Sequence, residues 1–120
     1  MIERFEDIVA WQYARVLCRE IYLVTGQPPF ARDFALRDQI RRAAISIPSN
    51  IAEGFERFRP AEFHQFLSIA KGSIRELRTH LYLATDIGYL DEPTRIKLFE
   101  QADKTASKIG ALRASVARRR

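Results

Sequence analysis

The side chains able to do chemistry are few and far apart. His64 and His80 are the only histidines. They stand 16 residues apart, without cysteine or carboxylate at ligand spacing, which predicts no metal site. Cys18 is the single cysteine and lies in an apolar helical stretch with no histidine motif beside it. It reads as a buried structural thiol rather than a nucleophile. Gly54, Gly72 and Gly88 are isolated, so neither a phosphate loop nor a nucleotide fingerprint is present and no cofactor is expected. Glu53 and Glu76 could form a carboxylate pair across two helices. Arg42 and Arg57 flank them, which favours a structural ion network over acid–base work. No residue is assigned a catalytic role, and the expectation is a protein that is not an enzyme.

Binding chemistry is better represented. Lys71, Arg75, Arg78 and Tyr82 follow one another at spacings of 4, 3 and 4, with His64 in line. Cations interleaved with an aromatic suit phosphate contact plus stacking on a base. Arg37 and Arg41 share a helix face further upstream. The chain closes on Arg118, Arg119 and Arg120, a basic tail able to add phosphate contacts. The opposing reading is that these charges cover an ordinary solvated surface. RNA or DNA is therefore one expected partner, and a protein contacted without nucleic acid is the alternative.

A second polar pattern is less usual. "RRAAISIPSNIAEGFER", residues 41–57, holds a proline, two serines, an asparagine and a glycine, yet helical periodicity runs through it. Leu36, Ile40, Ala43, Ile47, Ile51, Gly54 and Phe58 cluster on one face at 100° per residue, in the same phase before and after Pro48. That predicts one helix kinked at Pro48, where the carbonyl of Ala44 loses its amide partner. The competing reading is a fresh start, with Asn50 and Glu53 as a capping box. Gln39, Arg42, Ser46, Asn50, Glu53 and Arg57 form a separate polar stripe. "KGSIREL" supplies Gly72, Ser73 and Glu76 on an adjacent helix. Short side chains there suit a close approach. The expectation is a buried, hydrogen-bonded seam of Arg42, Ser46, Asn50, Glu53, Arg57, Ser73 and Glu76, either between these helices or between subunits. The alternative is two solvated faces.

Four helices must carry these residues. Apolar spacing and punctuation place them at about residues 6–25, 34–58, 60–87 and 91–116. "TGQPPF" stops the first, and Pro60 opens the third. Gly88 caps the third helix, Asp91 caps the fourth, and Pro93 lies in its first turn. Strand-like alternation is missing. The expected fold is all-α: an antiparallel up-and-down four-helix bundle in a single domain spanning residues 1–120.

Composition agrees with this. Apolar residues make up 47% and charged residues 29% of the 120, which describes a globular chain able to bury one core. No apolar run approaches the roughly 20 residues that span a membrane, so no membrane partner is expected. The start, "MIERFEDIVAW", is too acidic for a signal peptide. With one cysteine there is no internal disulfide framework, and the expected compartment is the reducing cytoplasm. The formal charge is +5, yet outside the three-arginine tail the chain carries 17 basic against 15 acidic residues. Sixteen of the 20 basic residues are arginine, the better bidentate phosphate ligand. The first helix is apolar on nearly every side. Ala10, Ala14, Leu17, Ile21 and Val24 form one stripe, Val9, Val16 and Leu23 a second, and Trp11, Cys18 and Tyr22 a third. A lone bundle leaves one face of each helix in water, so the surplus predicts a homo-oligomer.

Four stretches, "FEDIVAWQYA", "LRDQIRRAAISIPSNIAEGFERF", "EFHQFLSIAKGSIREL" and "IGYL", resemble the four-helix-bundle proteins encoded in 23S rRNA intervening sequences. The resemblance runs in order over about residues 5–90. It implies a four-helix bundle assembling into a ring-like homopentamer. It further implies kinship with the accessory variability determinant of diversity-generating retroelements, which partners a reverse transcriptase and binds nucleic acid. "RDFAL" stands where the family often has a glycine before the leucine, and "AKGSIRELRTHL" is more basic than the usual pattern.

Overall fold

The computed structural model describes residues 2–119. Helices α1 (Val9–Thr25), α2 (Phe34–Glu56), α3 (Pro60–Ile87) and α4 (Glu92–Ala117) follow one another with short connections, and no strand occurs among the described residues. Each helix packs on its two neighbours in a closed square, α1 on α2 and α4, α3 on α2 and α4, while the diagonal pairs stay apart. Short connections between adjacent helices make the bundle antiparallel, up and down. It measures 46 × 22 × 20 Å.

The helix ends obey local chemistry. Asp33 caps α2 by accepting from the Leu36 amide at 3.1 Å, and Asp91 caps α4 by accepting from the Thr94 amide at 2.9 Å. Pro60 is the first residue of α3, where its missing N–H costs nothing. Gly88 ends α3 at φ 96°, a left-handed conformation that glycine adopts without a Cβ penalty. α1 begins later than periodicity implies. A 3-10 turn covers Phe5–Asp7, and Ile8 is extended between turn and helix so that its side chain enters the core.

α2 runs unbroken through Pro48, so the fresh start at Asn50 is not the solution adopted. Its buried face is Ile40, Ala43, Ala44, Ile47, Ile51 and Gly54. Phe58, expected on that face, is instead 77% exposed and left-handed at φ 58°. α2 stops at Glu56, and the turn into Pro60 carries Phe58 off the helical phase. A non-glycine residue there gives up about 1–2 kcal/mol of backbone energy.

The α2–α3 pair is the most closely joined. A Cβ added to Gly54 would lie 2.7 Å from Cβ of Phe66 and 2.9 Å from Cδ1 of Phe63, so only glycine permits this approach. α3 contributes Phe63, Leu67, Ala70, Ile74, Leu77, Leu81 and Ala84 to the core. α4 adds Leu98, Ala102, Ile109 and Val116, plus Thr105, whose hydroxyl donates to the Gln101 carbonyl at 2.8 Å.

Candidate nucleic-acid interface

Where α2 crosses α3, three of the expected seam residues meet. The amide of Asn50 donates to Oγ of Ser46 at 2.9 Å and to the Ser46 carbonyl at 2.7 Å. Ser46 and Ser73 hydroxyls lie 2.8 Å apart, and Ser73 Oγ donates to the Ile69 carbonyl at 3.2 Å. With the Ser73 hydrogen committed to Ile69, the Ser46 hydroxyl must donate to Ser73. A one-way chain results: Asn50 to Ser46 to Ser73 to the α3 backbone. Ser73 is buried, and Ser46 and Asn50 are half-buried.

The charged members of the expected seam behave differently. Glu53, Arg57, Arg42 and Glu76 are all exposed on the chain. Arg57 Nε pairs with Glu53 one turn away at 3.0 Å, and the same guanidinium reaches Glu62 at 3.7 Å and lies over the Phe66 ring at 5.2 Å. Within one chain the α2–α3 crossing does not bury these acids, so of the two placements expected for the charged seam residues, between these helices or between subunits, the first does not hold for them. The reason is steric and dielectric: the crossing admits only small side chains, and a buried carboxylate needs compensation that water supplies at the surface. Gly72, also expected at a close approach, meets only its own helix neighbour Arg75.

On the far edge of α3, against α4, the structure gathers the basic residues. Lys71 reaches toward Gly110 of α4, its Nζ 3.7 Å from where a Cβ there would stand. Arg75 is exposed. Arg78 bridges to Asp103 at 3.5 Å and lies over the Phe99 ring at 5.2 Å. Two arginines of α4 join them. Arg95 stacks over both Tyr82 and Phe99 at 5.0 Å and contacts Glu92 at 3.5 Å. Arg113 donates from Nε to Nε2 of His64 at 3.3 Å, which requires that nitrogen to be unprotonated. The resulting face carries Lys71, Arg75, Arg78, Arg95 and Arg113. Asp103 and Glu92 are the acids paired into it. Among the described residues, Lys71, Arg75 and Arg113 have no carboxylate within ion-pair distance.

Tyr82 is only partly available. Its ring is 51% exposed but already meets the edge of Phe99 at 4.8 Å and the guanidinium of Arg95. A nucleobase stacking on it would have to displace Arg95.

The family model of the 23S rRNA-intervening sequence proteins matches residues 6–111. The chain belongs to this family. A solved structure with the same fold is a protein of unknown function from the S23 ribosomal protein family of Bacteroides thetaiotaomicron VPI-5482. It shares 20% identity and a TM-score of 0.80, covering 88% of this chain and 96% of its own. No functionally curated protein matches the chain.

The family match ends before the tail, at residue 111, so Arg118 and Arg119 lie beyond it; both are exposed at the end of α4. Arg120 falls outside the described residues. Arg37 and Arg41 sit at the opposite end of the bundle and are engaged locally. Arg41 donates to Thr25 Oγ1 at 2.8 Å and covers the Tyr22 ring at 4.3 Å. Arg37 bonds Asp38 at 2.9 Å and the Ala31 carbonyl at 3.1 Å. They hold the α1–α2 connection together and do not extend the α3–α4 face. Sequence reasoning missed Arg95 and Arg113. The signal existed: Arg95, Phe99, Asp103, Ala106, Gly110 and Arg113 repeat at helical spacing along α4.

The other reactive candidates lie apart from this face. Cys18 is half-buried against the core, and burial pushes its thiol up from the usual 9.0. Among the described residues no three of His, Cys, Asp and Glu come together as a metal site, and no helix is long and apolar enough to cross a membrane.

Proposed function

We propose that this family member is a non-enzymatic, self-assembling bundle that holds nucleic acid by its phosphates along the α3–α4 face. The observation that carries this reading is the convergence of Lys71, Arg75 and Arg113, from two helices, without paired carboxylates. Arginine forks and a lysine on one ridge fit a phosphate backbone, and nothing there reads base edges, so recognition is of backbone rather than sequence.

One chain offers few phosphate contacts, and self-assembly multiplies them. Val9, Tyr13, Val16 and Leu23 leave an exposed apolar ridge on α1, with Leu23 57% exposed, and Ile69, Leu83 and Ile87 do so on α3. Surfaces of that kind favour coverage by a second copy. The family resemblance supplies the number, a homopentamer. Repeated basic faces around a ring then gain avidity through linked contacts. The cytoplasm, where ribosomal RNA and transcripts reside, suits such a role.

Fluorescence anisotropy with a structured RNA and a duplex DNA tests this. Binding to both is expected, weakened to a similar degree by a combined Lys71→Gln, Arg75→Gln and Arg113→Gln variant. No binding at about 50 mM salt, where phosphate contacts are strong, leaves a protein-contacting scaffold as the function instead.

A further inference from the structure

A cavity of about 720 Å³ opens at the end of the bundle where the α2–α3 turn meets the N-terminal segment and the last turns of α4. Phe55, Phe58, Phe63, Ile8, Leu112 and Ile2 make its wall, with Pro60. Phe55 stands 6.2 Å from Phe58 and 6.1 Å from Phe63, ring to ring, so the aromatic lining is continuous. Phe58 is unusual in two respects: its backbone is left-handed, and its ring is 77% exposed. The left-handed backbone ends α2, with the Phe58 amide donating to the Phe55 carbonyl at 3.2 Å, and it leaves the ring lining the cavity rather than packed in the core.

The mouth is polar and unsymmetrical. Ser115 and Arg119 stand one turn apart at the end of α4, on one side. Arg59 is there too, exposed and 3.6 Å from Glu62. Glu3 completes the rim. Arg119 has no carboxylate within ion-pair distance among the described residues. We propose that this cavity binds a single-chain amphiphile, a free medium-chain or long-chain carboxylate. Its hydrocarbon lies along Phe55, Phe63 and Leu112, and its head group meets Arg119 and Ser115. The volume falls in the range of about 300–1,000 Å³ usual for small-ligand sites. An apolar wall with one unpaired guanidinium at the mouth matches an apolar body with one negative end. Glu3 repels that end and so fixes which side of the mouth it takes.

The test uses the full chain and a dansyl-labelled undecanoate, followed by its fluorescence and displaced by dodecanoate or by dodecanol. Dodecanoate is expected to displace the probe at one molecule per chain and dodecanol to do so more weakly. Arg119→Gln should weaken dodecanoate about tenfold, the loss of one charge-assisted hydrogen bond. Glu3→Gln should tighten it, and Leu112→Trp, which fills the cavity, should abolish probe binding. If Leu112→Trp fails to fold, Arg119→Gln and Glu3→Gln still decide by their opposite signs. Absence of probe binding, or equal binding by all variants, overturns the proposal. So does a change of oligomer mass in Phe58→Ala without loss of probe, since the cavity is then a subunit contact. Nucleic-acid binding should be unaffected by dodecanoate, which separates this site from the α3–α4 face.

Discussion

At the α2–α3 crossing a few small side chains decide how close the two helices come: Gly54 against Phe63 and Phe66, and Ser46 against Ser73. Ser46, Asn50 and Ser73 were legible because helical phase and side-chain size both select a close crossing, and both follow from spacing alone. Whether an acid beside them is buried between the two helices depends on the width of the gap, which spacing does not encode; within one chain Glu53 and Glu76 are exposed. Gly54 is the sharpest residue-scale test. In an open helix, glycine to alanine gains about 1 kcal/mol of helix propensity. Here the new methyl must displace Phe66 and Phe63, and overpacking of that kind costs about 1–3 kcal/mol. Gly54→Ala is thus expected to lower the melting temperature, and a rise would show that α2 and α3 do not touch there. Within the polar chain, Ser46→Ala removes the donor to Ser73 and the hydroxyl acceptor of the Asn50 amide, leaving that N–H only the Ser46 carbonyl, at a cost of about 1 kcal/mol. Ser46→Ala with Ser73→Ala should cost less than the sum of the two, because they share one bond. Denaturant unfolding of the three variants measures this directly.

At the scale of elements, helix boundaries followed from caps and prolines, and those marks are local. Gly88, Asp91 and Pro60 all act as their residue types dictate. The early start given to α1 failed because Ile8 is drawn into a core that only the folded bundle creates. The connections are held by side chains distant in sequence. Tyr89, after α3, donates to Asp33 Oδ2 at 2.9 Å and stacks on Phe30 at 5.0 Å, tying two connections at one end of the bundle. That hydrogen bond to Asp33 raises the tyrosine above its usual 10.0. A raised value means that the bond's contribution is fully present below the unfolded tyrosine's range and is lost as pH climbs through the folded one. Absorbance titration should find one tyrosine ionising late, and Tyr89→Phe should remove it. Asp91 has the opposite sign. Its bonds to Thr94 lower it below 3.8, so its contribution to α4 persists above the unfolded value and disappears as pH falls through the folded one.

For the whole molecule, the bundle itself was legible, since four amphipathic stretches with short connections allow few other arrangements. What spacing along one helix could not give was the partner helix for each charge. Lys71 and Arg75 read as a face of α3 alone; only the packing of α4 brings Arg113 alongside and diverts Tyr82 into a stack with Arg95. The exposed ridges on α1 and α3 make a larger particle the expected species. Light scattering should return a mass of five chains, and a monomer at micromolar concentration would remove the avidity on which tight binding depends. The most direct measurement is the salt dependence of RNA affinity for the native chain and for Lys71→Gln, Arg75→Gln, Arg113→Gln. Affinity should fall steeply with salt, and the slope should flatten by roughly 0.7–0.9 for each phosphate that is no longer neutralised. A slope unchanged by the three substitutions would contradict the assignment of nucleic acid to the α3–α4 face.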